Sequence, residues 1–257
     1  MDQVRDSSRS LQLLSELLFN PALTRLSEGV LDEGVFHEDR GPVAIGAGAS
    51  VRLQEMLESL EHQDLEQLRD LAMTNHVIMR AFRPLAQLLE DAGKELDADW
   101  VRVALEQESF RINHALGFLR DICAALEEKG CPAVVIKSLD HWPDLGSDLD
   151  LFTDADAADV VNVFRSEFKA ELDNRSWGDR LANKWNFIVP GLPELVEVHV
   201  GRLGQTGEQI ALTRSLCART RTTNIAGHVF RVPAPEDRLV ISTLQAPPGA
   251  NYRQSSK

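Results

Sequence analysis

The residues best equipped for chemistry lie in two short runs, Gly146-Ser147-Asp148-Leu149-Asp150-Leu151 and Val196-Glu197-Val198-His199-Val200. Alternate side chains of a strand share a face, so a strand over 148–152 points Asp148 and Asp150 one way and Leu149 and Leu151 the other, into a core. Two carboxylates held side by side repel unless a cation lies between them, and such oxygen-rich sites suit Mg²⁺, with substrate phosphates completing its coordination. The second run repeats the design, with valines on one face and Glu197 and His199 on the other. If the two strands are neighbours, Glu197 becomes a third carboxylate, and three carboxylates on adjacent strands are what two-metal phosphoryl transfer requires. Asp-x-Asp alone is common and can equally end a strand at a polar surface; Gly146-Ser147 and the second acidic strand favour the chemical reading.

Such strands need a sheet to position them, and the text around them supplies one. Ala133-Val134-Val135-Ile136-Lys137 reads as a short strand, followed by a loop holding Asp140 to Gly146 and then the Asp strand. Helical text over 155–170 precedes two further strands, 185–189 and 195–200, separated by the turn-rich Pro190-Gly191-Leu192-Pro193. A hairpin over 222–232 turns at Ala226-Gly227, and Pro235-Glu236-Asp237 looks like the first turn of a helix that barely starts. From 246 the text lacks period and core residues, which predicts a disordered tail over 246–257.

The first 130 residues read almost wholly as helix. One helix includes Leu11 to Leu18 and closes at Asn20-Pro21; helix resumes near Val51 after a glycine-rich gap. Leu53, Leu57, Leu60, Leu65, Leu68, Leu71 and Ala72 keep a helical period, and Pro84 marks a kink or break. A long helix beginning near Asp97 or Asp99 carries Leu105, Ile112, Leu116, Leu119, Ile122, Cys123 and Leu126 along one stripe and ends at Lys129-Gly130. The expected fold is therefore α+β: a helical region over 1–130, then a small mixed sheet flanked by helices over 131–245.

The series of strand, loop, Gly-Ser-Asp-Leu-Asp-Leu, helix and later acidic strand resembles the DNA polymerase β-type nucleotidyltransferase superfamily. It is most similar to the uncharacterised bacterial nucleotidyltransferase branch, which places a long helical region before a lysine-glycine, Asp-x-Asp, acidic-x-His series. The match covers roughly 110–245. It implies that Asp148, Asp150 and Glu197 hold Mg²⁺ or Mn²⁺, and that Ser138, Gly146 and Ser147 help hold a nucleoside triphosphate while Lys137 neutralises phosphate charge. The implied reaction moves a nucleoside monophosphate from the triphosphate to an unidentified acceptor, with release of pyrophosphate. Ser138 stands where that branch has glycine, and family members continue into further helices after Pro-Glu-Asp, which implies a truncated chain. Two other readings compete: a catalytically impaired nucleotide-binding module, and a helical interaction protein whose carboxylates are structural.

Composition narrows the classes. Three cysteines among 257 residues, without CxxC spacing, argue against a disulfide framework or a zinc knuckle and suit a reducing cytoplasm. No run of some 18 apolar residues would span a membrane, and a net charge of −13 makes no strong case for nucleic acid. Val43 to Ser50 superficially resembles a dinucleotide-binding turn but lacks the strand such a unit needs, so it reads as a connector. His199 could orient Glu197 or assist proton transfer, though a lone strand histidine is more often structural; His141, in the loop between the site strands, is placed to touch nucleotide. In Asn183-Lys184-Trp185-Asn186 the lysine could face phosphate and the indole could stack on a base, but Trp185 suits sheet packing better. The acidic N-terminal helices form a bundle on the sheet or a surface for a protein partner.

Overall fold

The computed structural model describes residues 2–20, 23, 51–204 and 210–245. The glycine-rich run at 43–50 and the tail at 246–257 lie outside them. The chain divides into two compact units, Met1–His114 with Trp142–Leu145, and Ala115–His141 with Gly146–Lys257. The fold is α+β, with helices first and a mixed sheet after. The division falls inside one long helix instead of at Gly130, where the sequence places the end of the helical region.

The first unit contains helices α1 (Asp2–Phe19), α2 (Val51–Glu58), α3 (His62–Thr74), α4 (Ile78–Asp91) and the start of the 34-residue α5 (Glu95–Glu128). Their stripes meet in one core that includes Leu13, Leu17, Leu53, Leu57, Leu65, Leu68, Phe82, Leu85 and Leu89. Each such side chain contributes about 1.5–3 kcal/mol on burial, which lets tertiary packing hold short helices that would not persist alone. Helix α4 runs unbroken through Pro84. Val77 offers no side-chain cap to α4, and Asp144 takes that role from far along the chain. Its carboxylate accepts from the amides of Met79 (2.7 Å) and Arg80 (3.3 Å) and from Arg80 Nε (2.6 Å).

The second unit is built on a five-stranded sheet of order β1-β2-β5-β4-β3, comprising β1 (Val134–Val135), β2 (Asp148–Thr153), β3 (Glu171–Leu172), β4 (Lys184–Ile188) and β5 (Leu195–Val200). Strands β2 and β5 are parallel and in register, Asp150 opposite Glu197, while the other pairings are antiparallel. Leu149, Leu151, Val196, Val198 and Phe187 fall on one face and are fully buried. Helix α6 (Ala157–Phe168), capped by the Asp156 side chain, stacks Phe164 on Phe187 with ring centroids 3.9 Å apart. Val134, Ile136, Phe152, Leu203, Leu216 and Ile241 form a further core cluster.

A short helix α7 (Trp177–Leu181) precedes β4, and α8 (Ile210–Leu216) follows β5. Strands β6 (Thr220–Ile225) and β7 (His228–Pro233) make the expected hairpin, whose two-residue turn has Ala226 and Gly227 at φ 50° and 80°. Those are the left-handed values that a tight hairpin requires and that glycine adopts without strain. Helix α9 (Pro235–Gln245) runs eleven residues, longer than its text suggests, because Ile241 is buried in the core cluster with Phe152.

Candidate functional site

The parallel pairing of β2 with β5 creates the site. Because both strands alternate, the face opposite the apolar one receives Asp148 and Asp150 from β2, Glu197 and His199 from β5, and Lys184 and Asn186 from β4, where Asn186 is in register with Glu197 and Lys184 with His199. Asp150, Glu197 and Asn186 thus form one row across three strands. The ligand-capable atoms of Asp150, Glu197 and His199 all lie within 4.8 Å of one another, so this group could hold a metal ion. Asp148, one step back and opposite Leu195, is outside the group and half-buried.

Lysines already counter two of the carboxylates. Lys137 Nζ is 2.6 Å from Asp150 Oδ1, and Lys184 Nζ lies 2.9 Å from Glu197 Oε1 and 3.2 Å from Asp179 Oδ1. Burial alone would raise the Asp150 pKa, but His199 and Lys137 outweigh it and hold the carboxyl below its ordinary value. Burial alone would lower the Lys184 pKa; Glu197 and Asp179 outweigh it and raise the ammonium above its usual range. The three carboxylates against two ammonium groups leave this cluster with a formal charge of −1 when the imidazole is neutral. It is therefore a better place for a cation, or a cation with a polyanion, than for a bare anion.

Backbone geometry aims Lys137. The amide of Ser138 donates to the Ile136 carbonyl at 2.7 Å across a three-residue turn, with Lys137 at its centre at φ 62°. A non-glycine residue held left-handed costs about 1 kcal/mol or more and is found where the surroundings over-determine it, often at functional sites. Ser138 itself is 8% exposed, and its hydroxyl accepts from the Asp150 amide at 2.7 Å. That hydroxyl ties the turn to β2.

A cavity of about 280 Å³ opens here, lined by Lys137, Asp179, Lys184, Glu197 and His199 with Gly178, Ala182 and Gly204. Of the residues named from sequence, Lys137, Lys184, Glu197 and His199 form its wall and Asp150 lies buried beside Lys137. Gly146, Ser147 and Asp148 are not in its lining, and Ser147 is exposed. His141 is exposed and outside the lining as well. Trp185 does not line the cavity either: the Arg175 guanidinium sits 3.9 Å over its ring, and its indole N–H donates to Asn183.

Asp179 and Asn186 are the participants that sequence reasoning missed. Alternation in Lys184-Trp185-Asn186-Phe187, with Phe187 inward, was the signal for Asn186. Asp179 carried no comparable signal, because it arrives from a five-residue helix. Among the described residues, Asp150 Oδ1, Asn186 Oδ1 and both ring nitrogens of His199 are buried without a hydrogen-bond partner, so the 2.6 Å approach of Lys137 is an ion pair lacking hydrogen-bond alignment. Buried polar atoms left this way cost about 1–3 kcal/mol each, so each calls for an explanation, and His199 lines the cavity itself. The donor set fits a divalent cation: two carboxylate oxygens suit a hard ion such as Mg²⁺, and the imidazole adds a nitrogen donor. Comparisons with family models, with curated proteins and with solved structures found no match.

Proposed function

We propose that the sheet unit is a metal-dependent nucleotidyltransferase core. In the reaction an acceptor oxygen bonds to the α-phosphorus of a nucleoside triphosphate while the bond from that phosphorus to the pyrophosphate oxygen breaks. The observation that carries the reading is the register pairing of Asp150 with Glu197 on adjacent parallel strands, beside a cavity walled by Lys137 and Lys184. A divalent ion such as Mg²⁺ at Asp150 and Glu197, with Asp148 near on the same face, would supply neutralisation of phosphate charge. Lys137 and Lys184 serve in the meantime as counter-charges for the carboxylates. Their flexible stems let the ammonium groups turn to triphosphate oxygens once the carboxylates are otherwise neutralised. Catalysis then rests on positioning and charge, as phosphoryl transfer generally does.

The commitment of the Ser138 hydroxyl to β2 and the direct Lys137–Asp150 pair favour a second reading, a module that binds nucleotide without turning it over. Thermal unfolding with each common triphosphate, with and without Mg²⁺, Mn²⁺ or Co²⁺, tests the shared premise. A ligand at 100 times its Kd stabilises the folded state by about 2.7 kcal/mol, a rise of several degrees at this chain length. The expected result is a metal-dependent rise with at least one triphosphate, lost in an Asp148→Ala, Asp150→Ala variant; no rise with any of them sinks both readings. Pyrophosphate release separates the two.

A further inference from the structure

His199 is the group that nucleotide transfer leaves unexplained. The residue is 5% exposed and lines the cavity, and among the described residues neither ring nitrogen has a hydrogen-bond partner. An imidazole buried for packing ordinarily has at least one nitrogen satisfied, because an orphaned one costs as much as a lost hydrogen bond. The separation of Nε2 from Asp150 Oδ1 is 3.8 Å, beyond hydrogen-bond reach. Two donors each about 2.1 Å from a common ion lie ~3.0 Å apart when adjacent around it and ~4.2 Å apart when opposite. The observed spacing falls between those limits, and Glu197 completes a set whose donor atoms all lie within 4.8 Å.

We propose that His199 is a direct nitrogen ligand of the ion held by Asp150 and Glu197, and that it turns the site from a Mg²⁺ site into one selective for a borderline transition ion such as Co²⁺ or Zn²⁺. This rests on the reading of the site as a metal centre. Mg²⁺ takes oxygen almost exclusively, whereas imidazole suits the later divalent ions, so a buried nitrogen donor rewards one class and does little for the other. Burial sharpens the distinction, since a Mg²⁺ ion that declined the nitrogen would have to place a water beside a ring with no other partner. Lys137, whose ammonium stands 2.6 Å from Asp150 Oδ1, withdraws as the ion enters; its side chain is 33% exposed and has solvent to withdraw into.

The test is calorimetric titration of the full chain with Co²⁺ and with Mg²⁺, comparing wild type with His199→Gln and His199→Asn. Any carboxylate site prefers Co²⁺ to some degree, so the decisive quantity is the change in preference. Outer partners of a metal ligand are worth 10–100-fold in affinity, and a direct ligand should cost at least about tenfold. The expected result is a loss of about tenfold or more in Co²⁺ affinity in both variants, with the Mg²⁺ Kd moving less than about threefold. Equal loss for both ions, or none for either, overturns the proposal. A second measurement needs no variant: electron spin-echo spectra of Cu²⁺ bound to wild type, an ion that imidazole suits, should carry modulation from an imidazole nitrogen. Bound Cu²⁺ without that coupling overturns the histidine ligand and leaves the carboxylate site standing, whereas failure to bind any of the ions removes both.

Discussion

Two buried aspartates six residues apart, Asp144 and Asp150, belong to different units and have opposite fates. Asp144 is 1% exposed, and both of its oxygens accept hydrogen bonds, from the first amides of α4 and from Arg80. Asp150 is 7% exposed, and its Oδ1 faces a lysine and an imidazole without a hydrogen bond. For Asp144, burial outweighs its partners and raises the pKa; for Asp150, partners outweigh burial and lower it. A carboxylate whose lone pairs are consumed by a helix terminus is a structural clasp. One held charged by side-chain cations, with an oxygen that has no hydrogen-bond partner among the described residues, has no such structural duty for that oxygen. The difference lies in where the donors come from: fixed backbone amides in the first case, the tips of long side chains in the second.

The largest effect expected from this contrast is on stability. Asp144→Ala removes the only side-chain cap that α4 has among the described residues and leaves the buried Met79 amide without its acceptor, so it should cost about 2–4 kcal/mol in urea unfolding. A loss under about 1 kcal/mol would show that the clasp is ornamental. Asp150→Asn, close in shape, should shift the same measurement by no more than about 1 kcal/mol, because Lys137 can turn to solvent, while erasing stabilisation by a divalent ion. If Asp150→Asn proved as destabilising as Asp144→Ala, the two aspartates would be alike and the site reading would lose its footing.

The Asp150 half of this contrast was legible before the fold. Alternation in Asp148-Leu149-Asp150-Leu151 and Val196-Glu197-Val198 fixes which side chains are buried and which share a polar face, and the structure pairs the strands in that phase. The turn at Ala226-Gly227 and the apolar stripes of the helices were equally readable from local sequence. What escaped depends on chain segments meeting. Asp144 reads as loop until α4 is beside it, and Asp179 reaches Lys184 only because α7 leads into β4. Ser138 looked like a phosphate ligand, yet its hydroxyl is occupied by a β2 amide that the register places beside it. The two-residue strand β3 lies on text with no period to announce it, since its existence comes from β4 next to it. Pairing with a neighbour, not propensity, decides such short edges.

The smallest effect concerns pH and separates the two aspartates by sign. Burial raises the Asp144 pKa above its ordinary value, so in acid the folded chain takes up a proton at this site before the unfolded chain does. Stability contributed by that uptake is complete below the unfolded value of about 3.9 and is lost as pH rises through the folded one. For Asp150 the folded value is depressed, so its contribution is present above about pH 3.9 and disappears as pH falls through the folded value. Differences in unfolding free energy between wild type and the non-titrating variants isolate each term. Lowering the pH from 7 toward 4 should move the difference between wild type and Asp144→Asn in favour of wild type. Over the same interval the difference between wild type and Asp150→Asn should stay level and begin to move against wild type only in stronger acid. Curves that bend the same way would mean that a clasp made of backbone amides and a carboxylate flanked by side-chain cations respond alike to losing charge, and the contrast drawn from their partners would fail.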